Sequence, residues 1–164
     1  MVEQTTYDKV AEWNRRCNKI PAETGTDEYW AALEKQAKRI KEELDELNSA
    51  IESRDTVELF DALLDLDVVI SGGLYLSNGD YVGGIDAVLS NNDEKYTMYR
   101  RVAEVAANSY LESGVGVSLH GVSDTDNWSS CQYYSVHRVS DDKIMKFPGH
   151  PKVDLAPFTP KGGA

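Results

Sequence analysis

The sequence predicts an all-α helical bundle with a small β-hairpin near its C-terminus. Apolar residues recur at helical spacing from Thr6 to Leu111. Helix-start and helix-stop residues fall between these runs, with Thr26 or Asp27 and Asp55 as N-caps and Gly114 as a terminator. From Val115 the texture changes: VGVSLHGV, CQYYSVHRV and KIMKF alternate or are β-branched, with Ser140-Asp141-Asp142 as a turn.

Taken in order, Thr6 to Lys19 reads as a helix with Val10, Trp13 and Cys17 on one face, and Trp13 is assigned to the core. IPAETGT (20–26) is a loop. A long helix then runs from about Asp27 to Ile51, with Tyr29, Trp30 and Leu33 as early packing residues. Within it Ile40, Leu44, Leu47 and Ile51 share a stripe roughly 60° wide at about 100° per residue, which is expected to face a core. Glu43 and Glu46 lie on its flank, and Ala50 continues their row.

Ser53 to Thr56 forms the next turn. Asp55 caps a second helix, and Glu58 three residues on completes a capping-box pattern. In that helix Glu58, Asp61, Asp65, Val68 and Gly72 share a row, while Leu59, Phe60, Leu63, Leu64, Leu66, Val69 and Ile70 cover the rest. A helix apolar nearly all round is expected to be buried. Gly72 and Gly73 permit close backbone approach. Ser77-Asn78-Gly79-Asp80 ends the helix. Ile85 to Leu89 is a short helix, and Met98 to Leu111 is another with Val102, Val105, Ala106 and Leu111 buried. The hairpin pairs QYYSVHRV with KIMKF, and the Pro/Gly-rich end is extended, with its last few residues disordered. His120 and His137 show no metal-ligand spacing and read as ordinary surface or core residues.

The acids carry the chemistry. Carboxylates on a buried helix need a compensating partner, and Lys38, Arg39, Lys41 and Arg54 are too few to neutralise them all. If the rows Glu43/Glu46 and Asp61/Asp65 face each other, the natural partner is a hard divalent cation, Mg²⁺ or Mn²⁺. Glu42, Asp45 and Glu52 read as a solvated face. Glu58 has a second explanation in helix capping and the helix dipole, which Asp61 and Asp65 lack.

EELDE (Glu42 to Glu46) followed by ELFD (Glu58 to Asp61) resembles the EExxE…ExxD signature of MazG-like, all-α nucleoside triphosphate pyrophosphohydrolases. DALLDLDVVISGGLYLSNGD is similar to the central helix of a virus-encoded branch related to phosphoribosyl-ATP pyrophosphohydrolase. SNNDEK (90–95) and DDKIMKFPGHPKVDL (141–155) resemble that branch's NxxK and C-terminal segments. Counted back from Gly79, the branch's metal-binding Asp falls at Asp65; Ala62 then stands where its Glu belongs, with Asp61 as substitute.

The resemblance implies a MazG-like bundle that forms a homodimer or homotetramer. It implies hydrolysis of a nucleoside triphosphate to monophosphate and pyrophosphate, with dGTP or GTP among the substrates such relatives clear. Glu43, Glu46, Asp61, Asp65 and Glu58 are then the metal ligands, and Glu42 or Glu46 is the proton acceptor. Asn14, Asn92, Lys95, Lys143 and Lys146 contact substrate. The stretch 97–132 reads as an insertion in a single domain of residues 1–164.

Composition bounds the alternatives. A chain of 164 residues with charge −11 and pI near 4.6 is unsuited to nucleic acid or an anionic membrane. Two cysteines, Cys17 and Cys131, make neither a disulfide framework nor an ordinary zinc site, so a reduced, cytoplasmic setting is expected. No signal peptide or membrane span is read. The competing readings are phosphoribosyl-ATP pyrophosphohydrolysis, a non-catalytic helical oligomerisation module, and an acidic regulatory protein for a basic partner.

Overall fold

The described residues contain five α-helices and one small sheet. The computed structural model describes residues 4–122 and 133–160. The expectations for Cys131, Gln132 and the last four residues lie outside that range. Two compact units form, one from Met1–Gly84 with Ala156–Ala164 and the other from Ile85–Leu155.

In the first unit, α1 (Thr6–Arg16) starts at a reciprocal capping box. The Asp8 N–H donates to Thr5 Oγ1 at 3.2 Å, and the Thr5 N–H donates to Asp8 Oδ2 at 3.0 Å. α2 (Asp27–Ser53) is capped by Thr26, whose hydroxyl accepts from the Tyr29 N–H at 3.2 Å. Arg54, in the left-handed region at φ 56°, turns the chain into α3 (Thr56–Leu76). Asp55 Oδ1 caps α3 by accepting from the Val57 and Glu58 N–H groups. The reciprocal half of the box is not made, because the Asp55 N–H donates to the Ala50 carbonyl at 3.0 Å.

α2 and α3 pack as an antiparallel pair. The α2 seam is Tyr29, Leu33, Gln36, Ile40, Glu43, Leu47 and Ala50, spaced alternately by four and three residues. The α3 seam is Leu59, Ala62, Leu66, Val69, Gly73 and Leu76. Register is fixed at two points: Tyr29 OH donates to the Ser77 carbonyl at 3.0 Å, and Gln36 Nε2 donates to the Val69 carbonyl at 2.7 Å. Gly72 makes room for that amide, since a Cβ there would lie 3.1 Å from Gln36 Nε2. α1 also packs on α3, burying Val10, Ala11 and Asn14. A short 3-10 turn, Ala156–Phe158, accepts the Asp80 N–H at the Phe158 carbonyl. A Cβ at Gly83 would come within 2.6 Å of the Phe158 ring, so the glycine is required for this approach.

The division between units falls within α4 (Tyr81–Asp93), longer than the expected 85–89. In the second unit, β1 (Tyr96–Thr97), β2 (Val117–Val122) and β3 (Tyr133–Arg138) form an antiparallel sheet of order β1-β3-β2, and α5 (Arg100–Glu112) packs on one face. The core is Ala103, Ala106, Tyr134 and Val136, ringed by Tyr110, Leu119, Met145 and Phe147.

Several sequence expectations are corrected. The main partner of β3 is β2, not KIMKF. That limb adds a short antiparallel return, with the His137–Ile144 bridge, the Arg138 N–H bond to the Lys143 carbonyl and the Met145 N–H bond to the Val136 carbonyl. Val102, Val105 and Leu111 are exposed, because α5 turns its alanines to the sheet, where small side chains allow close approach. Trp13 is 54% exposed beneath the Lys19 ammonium, and Trp30 is 57% exposed with its ring edge-on to Tyr29. α1 turns Val10, Ala11 and Asn14 inward instead. α3 is not buried within the chain: Phe60 is 63% exposed, and Leu63, Leu64, Val68 and Ile70 are also open.

Candidate active site

The α2–α3 register sets Glu43 level with the turn from Asp61 to Asp65. Glu43 occupies a seam position and is half-buried, whereas Glu46, Asp61, Asp65 and Glu58 are exposed. Burial pushes the Glu43 carboxyl above its ordinary value of 4.5, and the negative charges of Glu46, Asp65, Glu42 and Asp61 push it further. Acids from two helices therefore act on one another at this point. Glu58, a turn nearer the start of α3, is not among them.

Among the described residues none of the ion pairs involves Glu43, Glu46, Asp61 or Asp65. Nearby cations are engaged elsewhere. Arg39 Nη1 donates to Gln36 Oε1 at 2.9 Å, and Lys41 pairs with Asp45 on the solvated side of α2. An all-oxygen set, crowded with negative charge and lacking a basic counterpart, suits a hard divalent cation. Such a set fits Mg²⁺ or Mn²⁺ better than the zinc-type ions that nitrogen and sulfur ligands prefer.

Asn14 lies in the packing face of α1, where its Nδ2 donates to the Val10 carbonyl at 3.0 Å. The adjoining surface, between α1 and the end of α3, is an open cleft lined by Tyr7, Asp8, Glu12, Arg15, Arg16 and Tyr75. Both arginines are held by Glu12 there.

In the second unit the SNNDEK segment and the C-terminal segment meet. Lys146 Nζ donates to Asn91 Oδ1 at 2.8 Å, Asn91 Nδ2 donates to the Pro151 carbonyl, and His150 Nδ1 lies 2.7 Å from Glu94 Oε2. Asn91, Glu94 and His150 are the contacts that reading the sequence missed. A mixed run such as Asn91-Asn92-Asp93-Glu94-Lys95 does not reveal which member turns toward the C-terminal strap. Of the expected substrate contacts there, Asn92 and Lys143 are exposed and Lys95 is half-buried.

Residues 15–83 match the family model described as PRA-PH, phosphoribosyl-ATP pyrophosphohydrolase. The matched segment contains α2, α3 and the acids Glu43, Glu46, Glu58, Asp61 and Asp65, and spans less than half of the chain. Over that segment the match supports a relationship to the phosphoribosyl-ATP pyrophosphohydrolase superfamily. A comparison with curated proteins gives no match.

Proposed function

We propose that the protein hydrolyses nucleoside triphosphates, ribo- or deoxyribo-, between the α- and β-phosphates, releasing a nucleoside monophosphate and pyrophosphate. The observation that carries this reading is the Glu43 carboxyl, half-buried between α2 and α3 and raised by burial and by acids of both helices, with no basic residue among the described ones in an ion pair with the cluster. Glu43, Glu46, Asp61 and Asp65 are the residues that would hold Mg²⁺ or Mn²⁺. When bound, the metal supplies charge neutralisation on the triphosphate and a lowered pKa for its water. Glu42 or Glu46, on the exposed side of α2, takes the proton from the attacking water. Asn14, Asn92, Lys95, Lys143 and Lys146 carry over from the resemblance as substrate contacts, and dGTP or GTP as candidate substrates.

Phosphoribosyl-ATP is the second substrate to be weighed, favoured by the description of the family matched at 15–83. The bond broken is the same. The test is product analysis on that compound beside all ribo- and deoxyribonucleoside triphosphates, with and without excess chelator. Turnover is expected with Mg²⁺ or Mn²⁺ only. Asp61→Asn and Asp65→Asn are each expected to abolish it at saturating Mg²⁺, while Glu58→Gln retains it. Undiminished turnover in chelator would overturn the metal mechanism, and an inactive but stable Glu58→Gln beside an active Asp65→Asn would restore the literal ExxD reading.

A further inference from the structure

We propose that the outer face of the small sheet holds a site for a first-row transition-metal ion of the Zn²⁺ class, formed by His120, His137 and Asp142. The antiparallel register of β2 and β3 pairs Ser118 with His137 and His120 with Ser135. These four residues therefore project from one face, opposite the face on which Tyr134 and Val136 meet α5. The two histidines are diagonal neighbours, and their rings stack with centroids 4.0 Å apart and planes 15° apart.

The third ligand comes from the turn after β3. The Asp142 N–H donates to the Arg138 carbonyl at 2.9 Å, and Asp142 sits in the left-handed region at φ 55°, which Asp tolerates better than most residues. That bend returns its carboxylate to His137, with Oδ1 2.8 Å from Nδ1. The neighbouring Asp141 is already engaged: the Arg138 guanidinium grips both its oxygens and lowers its carboxyl to about 2. Among the described residues no Arg or Lys forms an ion pair with Asp142. One ligand atom from each of His120, His137 and Asp142 lies within 4.8 Å of the others.

Two imidazoles and one carboxylate form a borderline nitrogen–oxygen set, which selects Zn²⁺, Co²⁺ or Ni²⁺ over Mg²⁺. Tetrahedral coordination needs ligand atoms roughly 3.3 Å apart at the usual bond lengths of about 2.0–2.1 Å. Exposed His120 and Asp142 can close that gap by side-chain rotation. The outer-shell orientation of metal-bound histidines is present too. Ser118 Oγ is 2.9 Å from His120 Nε2, and Ser135 Oγ is 2.9 Å from His137 Nε2, so each ring has a hydroxyl at one nitrogen; the other nitrogen of His137 faces Asp142 Oδ1, where an ion would take the place of their hydrogen bond. A bound ion would cross-link β2, β3 and the turn at 139–142.

The test is Zn²⁺ titration of the full chain by calorimetry in saturating Mg²⁺, with Co²⁺ absorption as a second readout. One Zn²⁺ per chain is expected, with a rise in melting temperature. His120→Ala and His137→Ala should each weaken binding at least tenfold and remove the rise, while Asp65→Asn leaves both unchanged. His120→Gln, checked for retained circular dichroism, guards against misfolding as the cause. Zn²⁺ binding that is absent, or that survives in both histidine variants, would overturn the site.

Discussion

Glu43 occupies a seam position otherwise lined by Tyr29, Leu33, Gln36, Ile40, Leu47 and Ala50. Reading apolar periodicity places the packing stripe one residue away, through Leu44 and Ile51, which the structure leaves exposed. The reason is physical: a polar residue at a seam position is invisible to a search for apolar ones, and here two of the seven, Gln36 and Glu43, are polar. The acids as types were therefore legible, but the half-burial of Glu43 beside exposed Glu46, Asp61 and Asp65 was not. A pH dependence follows from Glu43. Its folded carboxyl is raised above 4.5, so the folded chain holds that proton to higher pH than the unfolded chain does. The associated stability is complete below pH 4.5 and is lost as pH rises through the raised value. Without metal, Glu43→Gln is expected to melt higher than the parent at neutral pH and to converge with it below pH 4.5. A lower melting point for the variant at neutral pH would contradict this.

At the scale of elements, caps were the most legible feature. Thr26, Asp55 and Gly114 each end or begin a helix as their chemistry dictates. The finer expectation at Asp55 divides in two, since its side chain caps α3 while its N–H is taken by Ala50. Asp55→Ala is accordingly expected to destabilise the fold by about 1 kcal/mol. Glu58→Gln should change stability by less than about 0.5 kcal/mol, because no capping bond depends on it. Denaturant unfolding of both variants makes the comparison. Strand pairing was less legible. Alternation identifies a strand's two faces, but not which other strand it meets, so the placing of His120 beside His137 becomes visible only once β2 and β3 are in register.

At the scale of the whole molecule, the outer side of α3 is the largest departure from what the sequence led us to expect. Phe60, Leu63, Leu64, Val68 and Ile70 are apolar as read, yet open to solvent in one chain. Sequence pattern reports that a surface wants cover, not whether the same chain supplies it. A second copy is the cover proposed, and sedimentation at micromolar concentration is expected to give a dimer or tetramer. Because Phe60 and Leu63 carry little packing within the protomer, Phe60→Glu with Leu63→Glu should yield folded monomer. A parent chain that sediments as a monomer would sink this assembly. Gln36, sunk between α2 and α3, has a further consequence at this scale. A slip of one turn would carry its amide about 5.4 Å from the Val69 carbonyl and strand it in an apolar seam. The same slip would carry Glu43 away from Asp61 and Asp65, so an uncharged side chain acts as the detent that keeps two sliding rods, and the charges they bear, in step.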